Sequence, residues 1–417
     1  MSPRIETTSP PPIRLTAVPP ARGAGRIQAG DRMASGTRIT VLMRPLRVPP
    51  REQVVARVRA LLELGPSARV GRILDERRWS YEPAAIEEHA ERMVGRLPDD
   101  LGTAEDLPRL RERADPMLPL SLFLGTDRIA VLFDHRLGDG FFAVMVLAAL
   151  FAEEGVPRVF EGADDRDPLP AALAATFGRH PSRAWNVVRD KLVTAPGAAS
   201  GPSRVVDGPG SLALHATMMT PDAYRAFSAW TRGRMPRSAA IVAAFQAALR
   251  AEGIPVADSG IVLVDLRRYL PSGRATLANF VIGHPLDLRR GPDAAGAQLT
   301  RDLHLGRPLA ALAVARRPVL RAAPTAETVP EAAVPIVSDM GLLRPLERLP
   351  WDGVDPQRPT IEVSVDPATR GGITALTTVL RGRFGVSLSF DSSIFPADRV
   401  VAAGERLCTA PLELLPA

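Results

Sequence analysis

The sequence predicts an α+β protein built as two similar halves, each a mixed sheet with flanking helices. Three observations lead there. At 417 residues the chain suits two domains better than one. Segments of strand-like alternation and of helical spacing interleave along it. A Pro-, Gly- and Ser-rich stretch, "APGAASGPS", separates them near the middle. The expected layout is a flexible arm over 1–35, a first half over 36–195, a linker over 196–210 and a second half over 211–417.

In chain order, residues 1–35 carry Pro and Gly with no sustained period and read as a loose arm. "TRITVLMRP" reads as a strand, and Arg51 to Leu64 as a helix whose Val54, Val55, Val58, Leu61 and Leu62 share one face. A strand from Ala68 to Leu74 and a helix from Pro83 to Leu97 follow, then the hairpin "LPLSLFLGTDRIAVLFD", with Gly125 and Asp127 at its turn. Gly140 to Glu154 reads as a helix, and Gly162 to Gly210 as two helices and the linker. The second half opens with the strand "SLALHATMM", then a helix for which Thr220 is a good N-cap and Pro221 suits the first position. Another helix starts at Ser238. "GIVLVDLRR", "NFVIGHPLDL", "VPIVSD", "TIEVSVD", "GITALTTVLRG" and "FGVSLSFD" read as strands, and Pro396 to Leu407 as the closing helix.

Composition narrows the function classes. With 46% hydrophobic and 24% charged residues the chain has the make-up of a folded globular protein. Its net charge is +6, but Lys191 is the only lysine and the arginines are scattered, without an RNP, zinc-finger or basic-stripe pattern. Nucleic-acid binding is therefore disfavoured, and the charge instead suits anionic partners such as phosphorylated cosubstrates or acidic carrier proteins. Cys408 is the only cysteine, which excludes an internal disulfide and any cysteine-based zinc site. A cytoplasmic setting is the default expectation: the N-terminus lacks the apolar core of a secretory signal, and the longest apolar run, Phe141 to Ala152, is 12 residues, short of a membrane span.

The stretch "FDHRLGDGFFAVMVL" places Asp134, His135, Arg136 and Asp139 between an apolar strand and an apolar helix. It reads H-x-x-x-D-G, from His135 to Gly140. A histidine at a strand end is held rigidly and titrates near neutrality, as a general base must. Gly140 lets the backbone turn tightly into the helix, and Asp139 is better placed to lock the loop by pairing with an arginine than to move protons. The other reading is a solvated turn at a strand end.

The motif resembles that of the CoA-dependent acyltransferase superfamily, which includes chloramphenicol acetyltransferase, peptide-synthetase condensation domains, wax ester synthases and polyketide-associated acyltransferases. About 280 residues follow it, similar to the members in which two chloramphenicol-acetyltransferase-like halves form a pseudo-dimeric monomer with a central cleft. Downstream, "VDLRRYL" and "LANFVIGHPLDL" resemble the family's D-L-R and G-N-F-V segments, "PIVSDMGLL" its V-S-N-x-G strand, and "VSLSFDSSIFPADRV" its closing strand and helix. The resemblance spans roughly residues 36 to 415.

It implies a transferase that moves an acyl group from acyl-CoA, or from the phosphopantetheine of an acyl carrier protein, to a hydroxyl or amine, in lipid or secondary-metabolite biosynthesis. No bound cofactor and no metal are implied. His135 would be the base, Asp139 a structural partner of Arg267, Ser338 an oxyanion donor, and Asn279 a residue lining the cleft; Ser338 and Asn279 also read as ordinary strand polar residues. Alternatives are a free-standing condensation enzyme forming an amide, and a non-catalytic docking relative. The chain departs from the family at Asp134, where many relatives have a second histidine, and in lacking a D-F-G-W-G-like segment. Of the other histidines, His284 is a further candidate for the cleft, while His89, His180, His215 and His304 read as structural. H-E-x-x-H, G-x-S-x-G and phosphate-loop motifs are absent.

Overall fold

The structure, a computed structural model, describes residues 22–152, 159–162, 165–189, 203–206, 210–316, 327–352, 359–366 and 369–416. Two mixed sheets dominate it. The first runs in the order Thr360–Val365, Arg38–Arg44, Ile129–Asp134, Leu120–Leu124, Val94–Arg96; its last pair is parallel and the others antiparallel. The second runs Val281–Asp287, Ser259–Asp265, Val334–Leu342, Gly372–Leu380, Arg383–Asp391, Leu212–Met218, with two parallel pairings flanking Val334–Leu342. This is the expected α+β architecture of two subdomains.

Alternation along the strands decides what each face meets. In Arg38–Arg44, Ile39, Val41 and Met43 join a core with the helices Arg51–Glu63, Ile86–Met93 and Gly140–Phe151, while Leu42 faces a smaller cluster with Leu97, Leu107 and Leu132. The second sheet packs on Arg237–Ala251 and Ala397–Thr409. Val54, Val55, Val58, Leu61 and Leu62 are all buried, and the Thr220 hydroxyl caps Pro221–Thr231 by accepting from Ala223 N at 3.2 Å.

The halves are joined by an exchanged strand. Thr360–Val365 follows most of the second half in sequence yet ladders onto Arg38–Arg44, from Thr360 opposite Arg44 to Val365 opposite Ile39. Its other edge donates Val363 N–H to Ser387 Oγ at 3.0 Å and Val365 N–H to Ser389 Oγ at 3.3 Å, on the second sheet. A simple division at residue 211 therefore does not hold, because the first sheet is completed by residues 360–365.

Other expectations change as well. Residues 22–35 are not a loose arm: Gly23–Arg26 pairs with Arg78–Tyr81, which also pairs with Ile73–Leu74, and Ala29–Arg32 is a helical turn whose Asp31 is 1% exposed. Residues 1–21 lie outside the described chain. Of the linker 196–210, residues Ser203–Val206 form a strand against Glu327–Pro330, and 196–202 and 207–209 lie outside the described residues. The strand expected over 68–74 is confined to Ile73–Leu74. The helix expected over 83–97 ends at Met93, since Val94–Arg96 is taken up by Leu122–Leu124 as a parallel strand. The helix Pro292–Leu305 carries His304 in its last turn, a residue the sequence placed at a helix end without giving the helix bounds, and Arg307–Ala315 had no counterpart in the sequence reading.

Candidate active site

The strand Ile129–Asp134 ends in a single 3-10 turn, His135–Leu137, and the helix Gly140–Phe151 begins three residues later. Asp134 builds the turn: its carboxylate accepts from Arg136 N at 2.9 Å and pairs with the Arg136 guanidinium at 2.6 Å. That explains aspartate at this position without any part in chemistry. Gly138 is extended, and a Cβ there would stand 2.6 Å from the Leu277 carbonyl oxygen. Gly140 has no left-handed backbone, so the tight turn expected of it is not its reason; a Cβ there would lie 2.7 Å from Met340 Cε, which makes the position one of close approach between the halves.

Asp139 is the N-cap of the helix and accepts from Phe141 N at 3.1 Å. Arg267 grips it in a fork, Nη1 to Oδ2 at 2.8 Å and Nη2 to Oδ1 at 3.1 Å, and Phe280 N adds a bond to Oδ2 at 3.0 Å. Burial alone would push this carboxyl's pKa up; the Arg267 charge and the bonds from Arg267 and Phe280 outweigh it and hold the group below the usual carboxylate range. Arg267 also donates to the carbonyls of Thr276 (3.1 Å) and Ala278 (2.9 Å) and lies 4.6 Å over the Phe141 ring. The pair thus ties the motif loop of the first half to the second.

Three residues brace His135 from behind. Asn279 Nδ2 donates to the His135 carbonyl at 2.7 Å and to Asp31 Oδ1 at 3.1 Å. Arg69, buried and held at φ 71°, donates from Nε to the Leu137 carbonyl at 2.6 Å and pairs with Asp31. His135 N donates to the Thr37 carbonyl at 3.1 Å. Asn279 is therefore not a cleft-lining residue: it is 8% exposed and sits behind the loop. Asp31 and Arg69 were not singled out from sequence. Arg69 follows an unremarkable turn, and Asp31 falls in a segment that reads as an arm.

His135 opens onto a cavity of about 520 Å³ lined by both halves. Asp139, Gly140, Arg267 and Ser338 line it too, so the structure brings these four together with His135. His135 Nδ1 is sealed from solvent without a hydrogen-bond partner among the described residues, which leaves Nε2 as the nitrogen able to exchange a proton with a reactant. His284, the other cleft candidate, is on the far face of its strand: 1% exposed, with Nε2 3.0 Å from Asp302 Oδ2. It belongs to the core of the second half. Cys408 is also buried, and burial pushes its thiol up to about 12. Among the described residues no three His, Cys, Asp or Glu side chains converge to hold a metal ion, and no helix is long and apolar enough to cross a membrane.

No protein-family profile matches the sequence, and no curated protein is similar to it in sequence. Solved structures are similar in fold. The trichothecene 15-O-acetyltransferase TRI3 from Fusarium sporotrichioides superposes with a TM-score of 0.60 at 12% identity, covering 94% of each chain. Polyketide synthase associated protein 5 from Mycobacterium tuberculosis gives 0.56 at 14% identity, over 93% of this chain and 98% of that one. The chain has the CoA-dependent acyltransferase fold. The first condensation domain of the CDA synthetase shares it, with a TM-score of 0.55 at 15% identity over 94% of this chain and 95% of that one. In this acyltransferase fold the motif loop, the exchanged strand and the chamber all lie where the two halves meet.

Proposed function

We propose that the protein transfers an acyl group from a thioester, carried by CoA or by the phosphopantetheine of a carrier protein, to a hydroxyl or amine acceptor. The observation that carries this reading is His135: its ring lines a largely apolar chamber, its loop is braced by Asn279, Arg69 and Thr37, and no carboxylate among the described residues engages its Nε2. The likeness in fold to an acetyltransferase and to condensation domains supports it.

In the reaction, His135 Nε2 takes the proton of the acceptor as its oxygen or nitrogen attacks the thioester carbonyl. The carbonyl oxygen takes up the electron pair, and the Ser338 hydroxyl donates to the resulting oxyanion. When the C–S bond breaks, the departing thiolate receives the proton held by the imidazolium. Asp139 takes no proton; its bonds to Arg267 and to the helix N-terminus keep the loop in place. Transfer is direct: the lone thiol, Cys408, is buried and held protonated by its raised pKa, so it is not an acyl carrier.

The test is thiol release from a panel of acyl-CoAs, with and without pooled alcohols and amines, in the wild type and in His135→Ala. Acceptor-dependent release that falls by roughly 10²- to 10⁴-fold in the variant is expected. Release indifferent to His135 overturns the assignment of the base. A chain inert towards every CoA and every acylated carrier protein overturns the transfer reading.

A further inference from the structure

The wall of the chamber that meets Gly140 is an irregular piece of strand. Val334–Leu342 pairs in register with Gly372–Leu380 as far as Asp339 opposite Thr377, and pairing resumes at Leu342 opposite Val379. Two residues, Met340 and Gly341, thus face one on the neighbouring strand, and Gly341 takes φ 67° in this bulge. Ser338 and Met340 line the chamber, and Met340 is the side chain against Gly140 of the motif helix. How the bulge is set therefore decides where Ser338 stands relative to His135.

One carboxylate holds the bulge. Asp339 Oδ1 accepts from Gly341 N at 3.1 Å and from the Thr377 hydroxyl at 3.1 Å. Arg237 grips the same carboxylate in a fork, Nη2 to Oδ1 at 2.8 Å and Nε to Oδ2 at 2.9 Å. Arg237 is the first residue of the helix Arg237–Ala251, where a cation opposes the helix dipole, so helix stability does not explain it. Asp339 does: burial alone would lower the Arg237 pKa, and the carboxylate outweighs burial and raises it. In the V-S-N-x-G strand that "VSDMG" resembles, the third position is a neutral asparagine; here a charge stands there, next in sequence to Ser338. With side chains 27% and 13% exposed, the pair is buried enough for that charge to be felt once Arg237 is removed.

We propose that Arg237 is a positioning residue for acyl transfer: it neutralises Asp339 and, through it, holds the bulge that presents Ser338 to the reacting carbonyl. The proposal rests on the transfer reading and on the oxyanion role given there to Ser338. It makes the need for Arg237 conditional on Asp339, because Asp339→Asn keeps an oxygen for Gly341 N and Thr377 but leaves no charge to neutralise.

The test compares the wild type, Arg237→Gln, Asp339→Asn and the double variant for acceptor-dependent thiol release and for urea midpoint. Arg237→Gln is expected to lower kcat by about 10- to 100-fold, with KM for acyl-CoA nearly unchanged. Asp339→Asn stays close to the wild type, and the double variant recovers most of the kcat that Arg237→Gln loses. Should Arg237→Gln fail to fold, Arg237→Lys replaces it; lysine keeps the charge without the fork, and a smaller fall is expected, again relieved by Asp339→Asn. A kcat unchanged by Arg237→Gln, or lost equally with and without Asp339→Asn, overturns the proposal and leaves transfer in place. A lowered midpoint with kcat per folded molecule intact reduces the pair to a strut and overturns it too. A wild type that transfers nothing removes the transfer reading, and this inference with it.

Discussion

His135 and His284 show how one residue type serves two ends in the same molecule. Each has an Nδ1 that is buried and without a hydrogen-bond partner among the described residues. They differ at the other nitrogen. His284 Nε2 meets Asp302, whose second oxygen accepts from Arg307 at 2.8 Å, and all of this lies inside the second half. Near His135 the buried carboxylate is Asp139, and it is bonded to Arg267 and backbone N–H groups instead. Both regions contain a histidine, an aspartate and an arginine. Whether the aspartate meets the histidine or only the arginine decides whether the second imidazole nitrogen is tied up, as at His284, or left for the role proposed for His135.

Substitutions that break this contrast have graded effects. The largest is on turnover: His135→Ala lowers acceptor-dependent thiol release by about 10²- to 10⁴-fold with little change in thermal midpoint, whereas His284→Ala lowers the midpoint and leaves release per folded molecule close to wild type. Next comes stability. Arg267→Ala strands the Asp139 charge in the interface and costs about 3–5 kcal/mol in urea unfolding. It also unpins the loop, so activity falls even in the fraction that stays folded. A smaller effect is expected for Asn279→Ala, which leaves the His135 carbonyl and Asp31 short of a donor. About 1–3 kcal/mol is expected, with kcat reduced more than KM because His135, the proposed base, is displaced rather than the binding walls.

Acid sharpens the comparison further. Asp139 has a folded-state pKa below its unfolded value, so its contribution to stability is complete above the unfolded value of about 4 and is lost as pH falls through the folded one. The stability gap between the wild type and Asp139→Asn should therefore be constant near neutrality and shrink only in strong acid. A gap that closes between pH 5 and 7 would contradict the depressed pKa.

The sequence carried the site's chemistry better than its support. His135, Asp139 and Gly140 lie within six residues, and Arg267 is in a segment with its own family resemblance, so their meeting could be anticipated. Asp31 and Arg69 could not, because their pairing depends on a backbone turn and on a segment with no period. The helix Pro292–Leu305 did leave a signal: Pro292 at its first position, and Gly306 at φ 74° closing it. The sequence placed its end at His304, but the alanines of its interior weaken the apolar period that would have given its extent. Val94–Arg96 shows the opposite failure, where tertiary pairing with Leu122–Leu124 overrides a run that would otherwise extend the helix. The all-apolar helix after the motif is explained by its two audiences, the core of the first half and the chamber.

The exchanged strand also constrains how the molecule is made. Arg38–Arg44 waits for a partner whose first residue, Thr360, lies 316 positions after Arg44. At synthesis rates of roughly 5–20 residues per second, that interval is on the order of half a minute. Throughout it the nascent first half presents an open, apolar sheet edge of the kind that recruits other chains. A fragment ending before Thr360 should consequently aggregate even though it contains the whole H-x-x-x-D-G motif, and supplying residues 327–416 as a separate polypeptide during refolding should raise its soluble yield.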